Sequence, residues 1–456
     1  MWFCGIDIGT THIKVVGINE EGTVLPPLKV RTPVLKDQGH TFHTGEDIWK
    51  ACGDLVTRYS QETASPYGPL AALSVGTFGQ EESLAVDAEG ATVFPSLAWW
   101  EVREHPYLTA TDVEYLDSLE HYQLSGLRNR AIQSPERMAW IRSEAPEAWK
   151  AMKRWVDFGT LILYRLTGEW AFASNQVNHS QFFSAKTLDA HQPSLDILGL
   201  TPEFFAPVQH TGTPIGKLLT QALPEVDLAP DATAYMGGHD QVMALYSQRG
   251  DSDSTSFDSI GTSEYLMVLT DTFNANPEAW KLGLDIERSW TKNGFLYGFA
   301  TPSGKVIQTI ADLFYGGDYN QLMNSTLADP ITDPGFRIAI SDFSGTGAGL
   351  LDLIGLPAGA NADSVSRSIF DHLARHSLST LEYMASIARS KIGQVTLIGS
   401  LFQRPQMVTH RRSVWNLPLS LSDLSEPVAT GTALVARHSY MASESGSTFE
   451  QREERI

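Results

Sequence analysis

Ile6-Asp7-Ile8-Gly9-Thr10-Thr11 and, roughly 250 residues later, Asp258-Ser259-Ile260-Gly261-Thr262-Ser263 are two versions of one phrase. Each follows an apolar, β-prone run and precedes another. Trp2–Ile8 leads into the first and His12–Asn19 leaves it; Thr255–Ile260 and Glu264–Leu269 flank the second. One such tetrapeptide is uninformative. Two in matching hairpins predict two lobes built alike, each offering a turn to the same ligand. A glycine turn lets the backbone approach closely, and successive N–H groups form a concave anion site. The hydroxyls of Thr10, Thr11, Thr262 and Ser263 add donors without charge. Asp7 would repel phosphate unless a cation intervened, so it reads as a magnesium ligand through water. Lys14, on the returning strand, is a candidate phosphate contact. Two ordinary hairpins, with Asp7 solubilising one, remain the plainer alternative.

The surrounding pattern alternates strands and helices. Thr23–Arg31 completes a three-strand meander, and Ala71–Thr77 and Ser83–Asp87 add two strands around Phe78-Gly79-Gln80-Glu81-Glu82. Ser134-Pro135 opens a helix, with serine as its cap. Phe158–Leu166 is a second helix ending near Gly168. Leu228–Thr233 reads as loop. Gly237-Gly238 would bend the chain tightly before Asp240, which also suits the cap of a helix over Gln241–Ser247. Lys305–Phe314 and Asp363–Ser390 read as helices, the latter with Val365, Ile369, Leu373, Leu381 and Met384 on one stripe. Val395–Ile398 is a buried strand, Thr432–Ser439 the last helix, and the end after Met441 a polar tail.

The chain has 456 residues, enough for two domains. The phrases divide it into an N-terminal lobe (1–245), a C-terminal lobe (246–440) and a tail (441–456). Its 53 acidic against 33 basic residues give a net charge of −20, which repels phosphate backbones and argues against a nucleic-acid partner. Two cysteines, Cys4 and Cys52, fit a reducing compartment better than a disulfide scaffold. No apolar run approaches the roughly 20 residues that span a bilayer, and the expected address is the cytoplasm. No Gly-x-x-x-x-Gly-Lys-Ser/Thr loop occurs, and Gly345-Thr346-Gly347-Ala348-Gly349 reads as loop. His40, His43, His191, His210 and the remaining histidines show no metal-ligand spacing and read as surface or structural.

These residues resemble the FGGY carbohydrate kinases of the actin-like ATPase superfold, in order along nearly the whole chain. Asp7-Ile8-Gly9-Thr10-Thr11 with Lys14 is similar to the family's first phosphate motif, and Gly261-Thr262-Ser263 to its second. Trp99-Trp100-Glu101-Val102-Arg103 resembles its Trp-x-Asp-x-Arg element. Arg165-Leu166-Thr167-Gly168-Glu169 matches a helix end found in many members. Gly237-Gly238-His239-Asp240-Gln241 resembles the segment that holds the catalytic aspartate. Val395–Ser400 and Gly431-Thr432-Ala433 resemble the adenosine region and the final helix. There are departures: His12 replaces a commoner serine, and Ile398-Gly399-Ser400-Leu401-Phe402 stands where the family has a run of small residues.

The resemblance implies an α/β fold of two ribonuclease-H-like lobes, with ATP between them and the sugar deeper, largely on the first lobe. It implies ATP-dependent phosphorylation of a hydroxyl of a small sugar, sugar acid or polyol, with Asp240 as catalytic base. Gln80, Glu81, Trp99 and Gln241 would bind the acceptor; a slip of one residue in that alignment would put Glu82 in place of Glu81. Gly9, Thr10, Thr11, Lys14, Gly261, Thr262, Ser263, Gly304, Gly399 and Ser400 would bind nucleotide. Asp7 and Asp240 would attend Mg2+. A homodimer is common in the family. A nucleotide-gated binding protein without sugar turnover is the competing reading.

Overall fold

The computed structural model describes residues 1–37, 39–79, 81–101, 107–249, 255–261, 263–340 and 350–453. Gln80, Val102, Arg103, Thr262 and the Gly345–Gly349 stretch named above lie outside them. The chain forms two compact units, one of Met1–Asp251, Ala275–Phe295 and Leu424–Ile456, the other of Ser252–Asn274 and Leu296–Asp423. The sequence division at 245 and 440 therefore differs from these units: the segment after Leu424 packs with the first unit, and Ala275–Phe295 returns to it.

The first unit is built on a sheet in the order Pro214–Lys217, Leu228–His239, Leu70–Thr77, Trp2–Ile8, His12–Asn19, Leu28–Arg31. Every residue of Trp2–Ile8 and Leu70–Thr77 is buried, which explains why both read as apolar runs rather than alternating ones. These two strands and Leu228–His239 run parallel, whereas Trp2–Ile8, His12–Asn19 and Leu28–Arg31 form the antiparallel meander. The segment read as loop, Leu228–Thr233, begins this third parallel strand. Its register shifts between Leu228 and Thr233, and exposed Pro230 and Asp231 there hide the strand pattern.

Several helices carry ordinary side-chain caps. Thr44 and Asp157 accept from the backbone N–H groups of Asp47 and Thr160. Gly168 ends the Phe158–Thr167 helix at φ 84°. Ser134 is not the cap expected; the cap position is Gln133, and the Ser134 hydroxyl instead accepts from Trp155 Nε1 at 3.0 Å. The last long helix runs Pro427–Glu444, longer than expected. It lies against the first strands and against the short Asp240–Tyr246 helix. Gly431 permits that approach: a Cβ there would stand 1.8 Å from the Met243 carbonyl oxygen. The end read as a polar tail folds further into a short helix, Phe449–Glu453, and buries Phe449 against Tyr246.

The second unit repeats the plan. Ser256–Ile260 pairs antiparallel with Glu264–Thr270 and parallel with Val395–Ile398, which pairs parallel with Leu419–Leu421. Phe295–Thr301 lies beyond Glu264–Thr270, in the place that Leu28–Arg31 holds in the first unit. The helix Ala362–Ala388 opens with a capping box between Asn361 and Ser364. In register, Asp7 faces Lys14 in the first hairpin and Ser259 faces Tyr265 in the second, so the repeat is one of backbone and not of charge.

Candidate active site

Ile8, Thr77 and His239 lie side by side at the carboxyl ends of three neighbouring parallel strands. Ligands of open α/β sheets bind beyond such ends. The sequence delivers a polar residue to each: Asp7 before the first turn, Thr77, and Asp240 just past His239. Gly237 and Gly238 do not make the tight turn expected. Both lie in the strand, and a Cβ on Gly237 would stand 2.2 Å from the Val75 carbonyl oxygen. Gly238, at φ 139°, leaves room for Asn175, whose Oδ1 accepts from the His239 backbone N–H at 3.1 Å.

Asp240 is the first residue of the helix Asp240–Tyr246, and His239 occupies the cap position expected for it. The Asp240 side chain retains 24% exposure and lies 3.2 Å from His239 Nε2. Burial raises its pKa above the ordinary value. The charge of His239 and a hydrogen bond from the Gln241 backbone N–H lower it, while Glu287 and Glu81 raise it again. A base whose proton affinity is raised accepts a hydroxyl proton more readily. Asp7 is buried, and burial pushes its pKa up to about 6, with Lys14 opposing and Asp240 adding to the rise. The negative charge of Asp240 is thus felt at Asp7, which holds its proton more tightly for it.

The structure joins Glu81 to Asp240 through residues that the sequence reading passed over. His179 Nδ1 lies 2.9 Å from Glu81, and its Nε2 lies 2.8 Å from Glu287. His239 Nδ1 stands 2.9 and 2.8 Å from the two Glu287 oxygens. Of the two places read for the histidines, surface or structural, His179 and His239 take the second: both are buried and ion-paired. Burial pushes the Glu81 carboxyl up, but His179 overrides it and holds the group down at about 2. Burial would likewise lower both imidazoles, yet the flanking carboxylates raise His179 well above its usual value and raise His239 too.

The remaining predicted contacts on this unit fall as follows. Lys14 Nζ is held by Asp7 at 3.1 Å and by Glu426 at 2.9 Å, rather than standing free. Gly9 and Thr10 are half-buried and Thr11 exposed, with the Gly9 N–H donating to the His12 carbonyl at 3.2 Å. Trp99 is 42% exposed and meets Trp100 edge to face. Glu82, the alternative to Glu81, is fully buried, bonded to His43 and to the Trp99 backbone N–H at 3.0 Å. Of the two, Glu81 is the member that keeps exposure. Gln241 is half-buried beside Asp240.

In the second unit, Gly399 sits at φ 103° immediately after its strand, and a Cβ there would stand 2.4 Å from the Ile260 carbonyl oxygen. Gly399 and the Gly261 turn are thus brought together. Gly261 and Ser400 are exposed and Ser263 half-buried. Leu401 and Phe402, where the family pattern has small residues, turn into the core. Gly304 lies inside the first turn of the helix Ser303–Tyr315, which starts two residues earlier than expected.

Comparison with known proteins decides the family. The model of the N-terminal domain of the FGGY family of carbohydrate kinases matches residues 2–247. The chain belongs to this family. It is a carbohydrate kinase, a phosphotransferase with an alcohol group as acceptor. An L-fuculokinase of Haemophilus influenzae is 22% identical over 440 residues, covering 94% of this chain and 92% of that protein. A glycerol kinase of Thermococcus gammatolerans is 23% identical over 453 residues, covering 94% and 87%. Among solved structures, a xylulose kinase from Lactobacillus acidophilus superposes with a TM-score of 0.83 at 15% identity, covering 99% of this chain and 91% of that one. Plasmodium falciparum glycerol kinase with ADP gives 0.81 at 12% identity, covering 100% and 96%. The fold is accordingly the α/β actin-like ATPase fold. Among the described residues, no helix of this FGGY kinase is long and apolar enough to cross a membrane.

Proposed function

We propose that this FGGY kinase transfers the terminal phosphoryl group of ATP to a hydroxyl of a small sugar, sugar acid or polyol, with Asp240 as the base. One observation carries the reading: Asp240 stands partly exposed at a strand end, its proton affinity raised, fixed on one side by His239 and on the other by the Gln241 backbone N–H. A hydroxyl is a weak nucleophile, and a carboxylate so placed takes its proton as the bond to phosphorus forms.

Glu81 is suited to grip a neighbouring hydroxyl, because the charge of His179 keeps it an anion and hence an acceptor. Trp99 offers an exposed apolar wall for C–H faces. The first unit is thus the acceptor-binding lobe, and the second binds nucleotide. Gly261, Ser263, Gly399 and Ser400 of the second unit supply backbone and hydroxyl donors, and Gly304 adds the N-terminus of its helix; on the first unit, Gly9, Thr10 and Thr11 offer phosphate the same kinds of donor. Asp7 and Asp240 are oxygen donors whose repulsion a hard divalent cation would relieve, so the residues fit Mg2+. When bound, the ion neutralises phosphate charge during transfer. Two buried thiols suit the reducing cytoplasm.

The test is an ADP-release screen with ATP and Mg2+ over ketoses, polyols and sugar acids, a panel set by the fuculokinase, glycerol kinase, gluconokinase and xylulose kinase relatives. At least one acceptor should raise ADP release well above background. ATP binding with no acceptor-dependent release would favour the nucleotide-gated binding protein instead.

A further inference from the structure

Five side chains of the first unit form one ionic chain: Glu81, His179, Glu287, His239, Asp240. Its middle is sealed, since the side chains of His179, Glu287 and His239 are 5%, 3% and 9% exposed. Its two ends are open, Glu81 at 17% and Asp240 at 24%. Each imidazole has carboxylates beside both ring nitrogens, an arrangement that favours the doubly protonated, positively charged ring. Three carboxylates and two imidazolium rings alternate in sign along the chain. Burying so many charges stabilises a fold poorly, and packed apolar residues would serve stability as well.

Glu287 is the middle member, joined to both imidazoles, and it is held by the backbone around it. It lies on the strand Asp285–Arg288. The Ile286 N–H donates to the Gly126 carbonyl at 2.8 Å, and Asn178 Nδ2 donates to the Ile286 carbonyl at 2.9 Å. Tyr122 Oη donates to the Leu284 carbonyl at 2.8 Å. These bonds tie the strand to the Leu119–Ser125 helix and to the Val177–Ser180 turn that carries His179.

We infer that Glu287 is a positioning residue for the acceptor: by gripping both imidazoles it sets the separation of Glu81 and Asp240, and so selects which hydroxyls meet the gripping and the proton-accepting carboxylate. The inference rests on the function proposed above. A metal ion held by His179, His239 and Glu287 is the competing use, since their ligand atoms lie within 4.8 Å of one another. The geometry disfavours it. The ring nitrogens stand at hydrogen-bond distances of 2.8 and 2.9 Å from Glu287, closer than the roughly 3.3 Å between ligands of one tetrahedral zinc ion.

The test uses the full chain and the two best acceptors from the wild-type screen. Glu287→Gln should lower kcat/KM for each acceptor roughly 10- to 100-fold, the effect of misplacing reacting groups by about 1 Å. The KM for ATP and the acceptor-free release of ADP should stay within about twofold. Glu287→Asp keeps the charge but shortens the arm, and should change the ratio of kcat/KM between the two acceptors about fivefold or more. Should Glu287→Gln fail to fold, Glu287→Asp carries the test. The inference is overturned if folded variants keep both acceptor efficiencies and their ratio within twofold, or if the KM for ATP shifts in proportion. Zinc bound stoichiometrically to the wild type, with chelation reproducing the variants, also overturns it. A wild type that phosphorylates no acceptor overturns the functional reading itself, and this inference with it.

Discussion

Asp7 and Lys14 are register partners across the first hairpin, and the lysine Nζ stands 3.1 Å from Asp7 Oδ2. The same ammonium reaches Glu426 at 2.9 Å, on the segment that enters the last long helix. Lys14 therefore neutralises two carboxylates of its own chain. Lys14→Met should destabilise the protein by about 2–4 kcal/mol, because Asp7 stays buried with its cation gone. The double variant with Asp7→Asn should recover part of that loss. Chemical denaturation of the four proteins measures the coupling; strict additivity would show that the pair does not interact.

Asp240→Asn keeps the shape of the side chain and removes its ability to take a proton. Acceptor phosphorylation should fall by about 10²- to 10⁴-fold. Nucleotide affinity, read by calorimetry with ADP, should change no more than about threefold. Near-normal turnover in this variant would remove Asp240 from the role of base.

Trp99 is 42% exposed, with its backbone N–H pinned by Glu82. An indole held open in this way contributes little to the core. Trp99→Ala should raise the acceptor KM about tenfold while changing unfolding free energy by less than about 1 kcal/mol. A large loss of stability with an unchanged KM would make it a structural residue.

Glu264 is fully buried and accepts from Thr301 at 2.9 Å, Ser303 at 2.5 Å, Ser377 at 2.8 and 2.7 Å and Arg411 at 2.8 Å. Burial alone would raise its pKa, but Arg411 and the three hydroxyls bring it below the ordinary 4.5. Its stabilisation is complete above that value and is lost as pH falls through the lower, folded one. Asp258, also beside Arg411, goes the other way: burial raises it well above 3.8, so its contribution is full at acid pH and declines as pH rises through the folded value. Glu264→Gln should cost about 3 kcal/mol or more at neutral pH, by leaving Arg411 poorly paired, and the cost should shrink below about pH 4.5. Asp258→Asn, whose amide resembles a neutral acid, should cost less than about 1 kcal/mol. Denaturation of both variants between about pH 2.5 and 8 checks the two opposite slopes.

The parts of the fold legible in the sequence were those written locally. Trp2–Ile8 and Val395–Ile398 are sealed on both faces, so their apolar runs announced them as strands. The glycine turns announced the hairpins, and Gly168 announced a helix end. Leu228–His239 was obscured because its first half carries Pro230, Asp231 and a register shift, which local pattern reads as loop. The ionic chain was illegible for a different reason. His239 and Glu287 are 48 residues apart, and His179 and Glu287 are 108 apart, so no spacing rule links them. Only the sheet edge and the return of Asp285–Arg288 to the first unit bring them within reach. Asp240 was visible through its motif; the partners that tune it were not.

The first unit is sewn from the beginning and the end of the polypeptide, with Gly431 seated on Met243 and Glu426 on Lys14. During synthesis, the strands that precede it must therefore wait, one flank bare, until the Pro427–Glu444 helix has left the ribosome. A premature stop near residue 420 would strand that apolar surface permanently, and the fragment should precipitate or be degraded although every strand of its leading sheet is present.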